Sequence, residues 1–164
     1  MKRKFVKKSP SDNPTNELTK ARNYAFLLLK YRLRSIREIR GRLERKGFSP
    51  DVIQSTVAFL IEKEFVNDVV FSRAWIESRL RANLGPRKIE LELINKGIER
   101  NIIDEQLKLI RTDYQEDKQI EEIVRKRFQR LNILEPKTAK RKIYAYLLRR
   151  GFSPDIVSEK IKQL

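Results

Sequence analysis

The sequence predicts an all-α protein built from three tandem three-helix repeats in an elongated, curved array, and three observations carry that prediction. Lys46-Gly47-Phe48-Ser49-Pro50-Asp51-Val52-Ile53 is written again as Arg150-Gly151-Phe152-Ser153-Pro154-Asp155-Ile156-Val157, with a looser copy at Lys96-Gly97-Ile98-Glu99-Arg100-Asn101-Ile102-Ile103. A recurrence every fifty residues or so marks an array of similar supersecondary units. Aligned on Gly47, Gly97 and Gly151, four columns are aliphatic at helical spacing: Ile39, Ile89 and Ile143; Leu43, Leu93 and Leu147; Val57, Leu107 and Ile161; Leu60, Ile110 and Leu164. No strand-like alternation competes with this pattern.

Residues 1–16 mix Lys2, Arg3, Lys4, Lys7 and Lys8 with Pro10 and Pro14 and lack apolar periodicity, which predicts a disordered basic arm. The repeats are expected at 17–66, 67–112 and 113–164. From Glu17, Ala21, Ala25, Leu28 and Leu29 recur at helical spacing, with Phe26 and Leu33 beside them. Arg34-Ser35 interrupts this helix, and Ser35 with Glu38 forms a capping box that starts the next one, burying Ile36, Ile39 and Leu43. Gly47 ends that helix in the left-handed cap position. Ser49-Pro50-Asp51 supplies a cap, a first-turn proline and an acid for a third helix, whose buried face is expected to be Val52, Ile53, Val57, Leu60 and Ile61.

The second repeat opens at the cap pair Asn67-Asp68. Its first helix should bury Phe71, Ala74, Trp75 and Ile76 and stop before Gly85-Pro86. Ile89 and Leu93 lead to Gly97, and Ile102, Ile103, Leu107 and Ile110 follow on the next helix. In the third repeat, Ile120, Ile123, Val124, Phe128 and Leu131 share a face and Pro136 closes the turn. Ile143 and Leu147 then lead to Gly151, and Ser153-Pro154 starts the last helix. The period exceeds the roughly 34 residues of tetratricopeptide repeats and the 40–47 of HEAT repeats. A unit of this size is marginal alone, so neighbours are expected to support one another.

The formal charge of +16 favours a polyanionic partner. Between Lys20 and Lys46 ten basic residues face two acids; between Arg125 and Arg150 ten face one. First and second helices are thus basic and third helices neutral to acidic. Tyr24, Tyr31, Tyr144 and Tyr146 lie near these cations, where a tyrosine either edges the core or stacks on a base. The chain has neither cysteine nor histidine, which excludes disulfides, thiolate and imidazole metal sites, and their catalytic chemistry. Asp104-Glu105, Asp113, Asp117 and Glu121-Glu122 do not converge as magnesium ligands would, and no phosphate-binding glycine loop is written. No catalytic residue, metal or cofactor is expected. No apolar run of signal or membrane-spanning length follows Met1–Lys4, so a cytoplasmic protein without membrane contact is expected.

Arg34-Ser35-Ile36-Arg37-Glu38-Ile39, Leu43-Glu44-Arg45-Lys46-Gly47-Phe48, Leu60 through Phe65-Val66-Asn67-Asp68 to Phe71-Ser72, and Gly85-Pro86-Arg87-Lys88-Ile89 through Leu93 to Lys96-Gly97-Ile98 resemble the RecX regulatory proteins in order and spacing. The resemblance covers residues 18–164 and is strongest over 34–98. It implies a partner, the RecA recombinase filament, bound along its groove with a change in filament assembly, ATP hydrolysis and strand exchange, in DNA repair and recombination and the SOS response; of the two directions of modulation, inhibition is the one expected. Direct contact with single- or double-stranded DNA is expected to be weak, and the protein a monomer. The basic arm and Glu99-Arg100-Asn101, where the Ser-Pro cap is missing, depart from the family pattern. From their clustering, Arg34, Arg37, Arg40, Arg45, Lys46, Arg87, Lys88, Lys140, Arg141 and Lys142 are the expected filament and DNA contacts. The rival readings are a RecA-independent DNA-binding regulator of helix-turn-helix or homeodomain-like type and a scaffold for an acidic partner.

Overall fold

A computed structural model describes residues 14–111, 116–131 and 133–163. Among them lie nine helices and no strand: α1 Pro14–Tyr31, α2 Ile36–Lys46, α3 Pro50–Glu62, α4 Asp68–Arg81, α5 Pro86–Asn95, α6 Arg100–Arg111, α7 Glu116–Arg130, α8 Pro136–Arg150 and α9 Pro154–Lys162. The chain divides into two compact units, one ending at Asn67 and the other starting at Asp68. In the first, α1, α2 and α3 pack on one another; in the second, α4 to α6 and α7 to α9 form two such triplets.

Each triplet encloses its own core, built from the columns that recur in sequence. Ala21, Ala25, Leu28, Ile39, Leu43, Ile53, Val57 and Leu60 fill the first. Phe71, Ile76, Ile89, Leu93 and Ile103 fill the second, and Ile120, Val124, Ile143, Leu147, Phe152 and Val157 the third. The side chains of Ile110 and Leu164, which complete one column, lie outside the described residues, as do residues 1–13 of the expected arm and Asp113.

The glycine-centred ends form as the sequence predicts. Gly47, Gly97 and Gly151 have φ of 92°, 78° and 88°, left-handed values that cost other residues about 1–2 kcal/mol. The Ser35–Glu38 capping box is present, with Ser35 Oγ accepting from the Glu38 amide at 3.1 Å.

Several local expectations are corrected. Helix α1 begins at Pro14, so residues 14–16, assigned to the arm, are helical. Leu33 lies past the end of α1 and is exposed, and Ile61 points outward rather than into the core. Pro136 follows the turn as the first residue of α8, where the Glu135 carboxylate accepts from the Thr138 amide. Ser49 and Ser153 stand at the N-cap positions of α3 and α9, yet neither side chain caps its helix. A carboxylate from the first helix of the triplet instead accepts each serine's own amide: Glu17 Oε1 for Ser49 at 3.1 Å, and Glu116 Oε1 for Ser153 at 3.0 Å. In α4, Ile76 is fully buried, while Trp75 and Ala74 are half-buried. The Trp75 indole N–H reaches Glu92 at 3.0 Å, and Arg79 and Lys96 lie 3.9 and 4.3 Å from its ring centroid. An indole needs a hydrogen-bond acceptor, and its face attracts cations, so the ring settles at the α4–α5 edge.

Candidate functional site

Burying Ile39 and Leu43 on one side of α2 forces the polar residues between them to the other. Arg37, Arg40 and Arg45 are exposed there, with Glu44 the single acid among them. No hydrogen bond or ion pair among the described residues engages Arg37 or Arg40, while Arg45 Nε donates along its own helix to Gly41 O at 3.0 Å. Gly41 lies on this side, and nothing stands within 4 Å of the Cβ it lacks. The second acid of α2, Glu38, is held by Arg32 through two hydrogen bonds of 2.9 and 3.0 Å. That bond raises the Arg32 pKa. With one of its two acids held in this way, the solvent side of α2 presents mainly positive charge.

Arg34 differs from the outward-facing cations with which clustering grouped it. Its Nε donates to Leu28 O at 3.2 Å, in the last turn of α1, where carbonyls lack helical partners. Burial lowers its pKa, and the charges of Arg32 and Arg42 act in the same direction. Lys46 is exposed, with Nζ 5.6 Å from the Tyr24 ring centroid. Tyr24 packs against Phe48 and Tyr144 and Tyr146 are half-buried, all at the core edge; Tyr31 is 77 % exposed.

In the second unit, α8 carries six cations and no acid over Pro136–Arg150. Arg141 and Lys142 are exposed and Lys140 is half-buried. Arg87 and Lys88 are exposed in the first turn of α5. This turn meets the C-terminal end of α8: the Gly85 amide donates to Arg150 O at 2.8 Å and the Arg87 amide to Gly151 O at 3.2 Å. Arg87 and Lys88 therefore lie beside Arg150 and Gly151. Lys140 to Lys142 lie nine to eleven residues before Gly151, roughly 14–17 Å at a helical rise of about 1.5 Å per residue. Clustering along the chain grouped cations that space separates.

Sequence reasoning also missed Arg150 and Arg127. Arg150 Nε donates to Asn83 O at 3.0 Å, and its Nη2 donates to Ala82 O. The Arg127 guanidinium lies 3.3 Å from the Tyr146 ring centroid. Repeat alignment could have found Arg150, because it occupies the place of Lys46 before the equivalent glycine; nothing in the sequence signals the Arg127 contact. No group of three or more His, Cys, Asp or Glu residues converges among the described residues, and no described helix is long and apolar enough to cross a membrane.

Three-helix modules in series, with basic second helices in the first and third, define a helical-repeat protein whose exposed features suit macromolecular contact. Three family models match in order: "RecX, first three-helix domain" over residues 21–60, the second over 67–107 and the third over 114–161. The chain belongs to the RecX family. It is 30% identical to the regulatory protein RecX of Chlorobium limicola over 94% of this chain and 93% of that protein. It is likewise 30% identical to the regulatory protein RecX of Listeria welshimeri over 84% of this chain, and there spans 51% of the relative's length. The crystal structure of RecX from Lactobacillus salivarius superposes with a TM-score of 0.78 at 27% identity, covering 92% of this chain and 97% of that one.

Proposed function

We propose that this RecX-family regulator binds the RecA nucleoprotein filament and restrains its ATPase and recombinase activities. It acts as a cytoplasmic monomer in DNA repair and recombination and in the SOS response, and it is not itself an enzyme. Family membership supports the reading, and the observation that carries it here is the exposed cationic side of α2. There Arg37, Arg40 and Arg45 stand with one acid among them, while the second acid of the helix is held by Arg32. Cations so placed suit acidic protein surface and DNA phosphates, both of which a nucleoprotein filament offers. Arg87, Lys88, Arg141 and Lys142, with the half-buried Lys140, extend the contact from the second unit, and direct affinity for free DNA is weak. Arg34 and Lys46 complete the proposed set, Arg34 chiefly by holding the end of α1.

Replacing Arg37, Arg40 and Arg45 together by Glu tests this reading. Filament binding is expected to fall at least tenfold, equivalent to about 1.4 kcal/mol, with an unchanged helical circular-dichroism signal. Binding at wild-type strength would remove α2 from the interface.

A further inference from the structure

Lys46-Gly47-Phe48-Ser49-Pro50 and Arg150-Gly151-Phe152-Ser153-Pro154 build the same helix end twice. The Gly47 amide donates to Glu44 O at 2.9 Å and the Phe48 amide to Leu43 O at 3.3 Å. The Gly151 and Phe152 amides donate to Leu148 O and Leu147 O at 3.0 and 3.2 Å. Both are glycine-closed ends followed by a proline-opened helix.

The end at Gly151 is occupied by the start of α5. The Gly85 and Arg87 amides donate to Arg150 O and Gly151 O, and Arg150 reaches back to the carbonyls of Ala82 and Asn83. The first amides of one helix thus meet the last carbonyls of another, positive dipole end against negative. Neither glycine tolerates a side chain there. A Cβ on Gly85 would overlap the Gly151 carbonyl and the Phe152 amide, and one on Gly151 would overlap Lys88.

Among the described residues, the end at Gly47 is open. Nothing stands within 4 Å of its missing Cβ. Gly47 and Lys46 are exposed, and the Lys46 and Gly47 carbonyls accept no backbone hydrogen bond among the described residues beyond those internal to α2.

We propose that the Gly47 end of α2 is a docking site for the first turn of a helix in a partner protein, opened by a glycine-proline pair. Two amides of that turn donate to the Lys46 and Gly47 carbonyls, and the Lys46 ammonium takes the carbonyls just before the turn, as Arg150 does. The argument is charge complementarity between helix ends, with the chain's own α8–α5 joint as its template, and it does not depend on the partner being RecA.

The test uses the full chain labelled with ¹⁵N-glycine, whose five glycines give separate amide signals. The titrant is a capped peptide of residues 80–96 of this chain, which contains the Gly85-Pro86 turn. The Gly47 signal is expected to shift saturably while that of Gly41, in the same helix, stays in place. A peptide carrying Gly85→Ala should need about tenfold more to produce the same shift. In a Gly47→Ala chain labelled with ¹⁵N-phenylalanine, the Phe48 amide should not respond to the peptide, whereas it should in the wild-type chain labelled the same way. Because alanine there is strained, Lys46→Ala serves as a second variant and should weaken the response about threefold. A Gly47 signal that ignores the peptide, or responds equally to both peptides, overturns the proposal. So does one that moves with protein concentration alone, which assigns the end to a second copy of the chain.

Discussion

Gly85 and Gly151 meet backbone to backbone, so that the first turn of α5 closes on the last turn of α8 through hydrogen bonds of 2.8 and 3.2 Å. The two residues lie sixty-six positions apart, and their contact joins the second triplet to the third. Gly85 has φ of −80°, a value any residue adopts, so its requirement is for space alone. Gly85→Ala is expected to destabilise the second unit by about 1–3 kcal/mol, the usual cost of overpacking. Thermal unfolding followed by circular dichroism should show a lowered transition with native helicity below it. An unchanged transition would mean that the joint relaxes freely.

The three serines at N-cap positions should respond differently to removal of the hydroxyl. Ser35→Ala breaks a side-chain cap and is expected to cost about 1 kcal/mol. Ser49→Ala and Ser153→Ala should lie within about 0.5 kcal/mol of wild type, because neither hydroxyl caps its helix. Glu17→Ala and Glu116→Ala each remove the acceptor of a serine amide and should cost about 1 kcal/mol. Denaturant midpoints at constant slope measure all five.

Two glycines of the first unit should give opposite signs. Gly41 is in the interior of α2 with open space at its Cβ position, so Gly41→Ala should stabilise by about 0.5–1 kcal/mol. Gly47 has equal space but φ of 92°, so Gly47→Ala should destabilise by about 1–2 kcal/mol. The same unfolding experiment reads both.

The cations should also separate by role. Arg34→Ala removes a hydrogen bond to Leu28 O and should lower stability by about 1 kcal/mol. Arg37→Ala and Arg40→Ala, at exposed positions, should leave stability within about 0.5 kcal/mol and weaken filament binding. Unfolding and binding measured on the same three variants check the split.

The sequence made the helices, their glycine ends and most of the core legible because each rests on a local rule: spacing along one helix, or the left-handed backbone after it. Ile39, Leu43, Ile143 and Leu147 could be placed in the core without knowing their neighbours. Ser49 and Ser153 take the N-cap positions read for them, but their hydroxyls cap nothing; the carboxylates that accept their own amides, Glu17 and Glu116, come from another helix, which no local rule reaches. Ile61 and Leu33 show the limit of hydrophobicity, since an apolar residue at the margin of a stripe can face solvent. Gly85-Pro86 reads as a helix stop, and only tertiary structure makes it a joint. The candidate contacts were legible as charge and not as geometry: Arg37 and Arg40 are outward, Arg34 is engaged, and Lys140–Lys142 lie away from Arg87 and Lys88.

The central claim is tested most directly by titrating the full chain into preformed RecA filaments on single-stranded DNA and following ATP hydrolysis, with binding to bare DNA measured in parallel at several salt concentrations. The expected result is a fall in hydrolysis at protein levels too low to coat the competing DNA. Unchanged hydrolysis, together with tight and steeply salt-dependent binding to bare DNA, would contradict it and assign the cations to DNA alone.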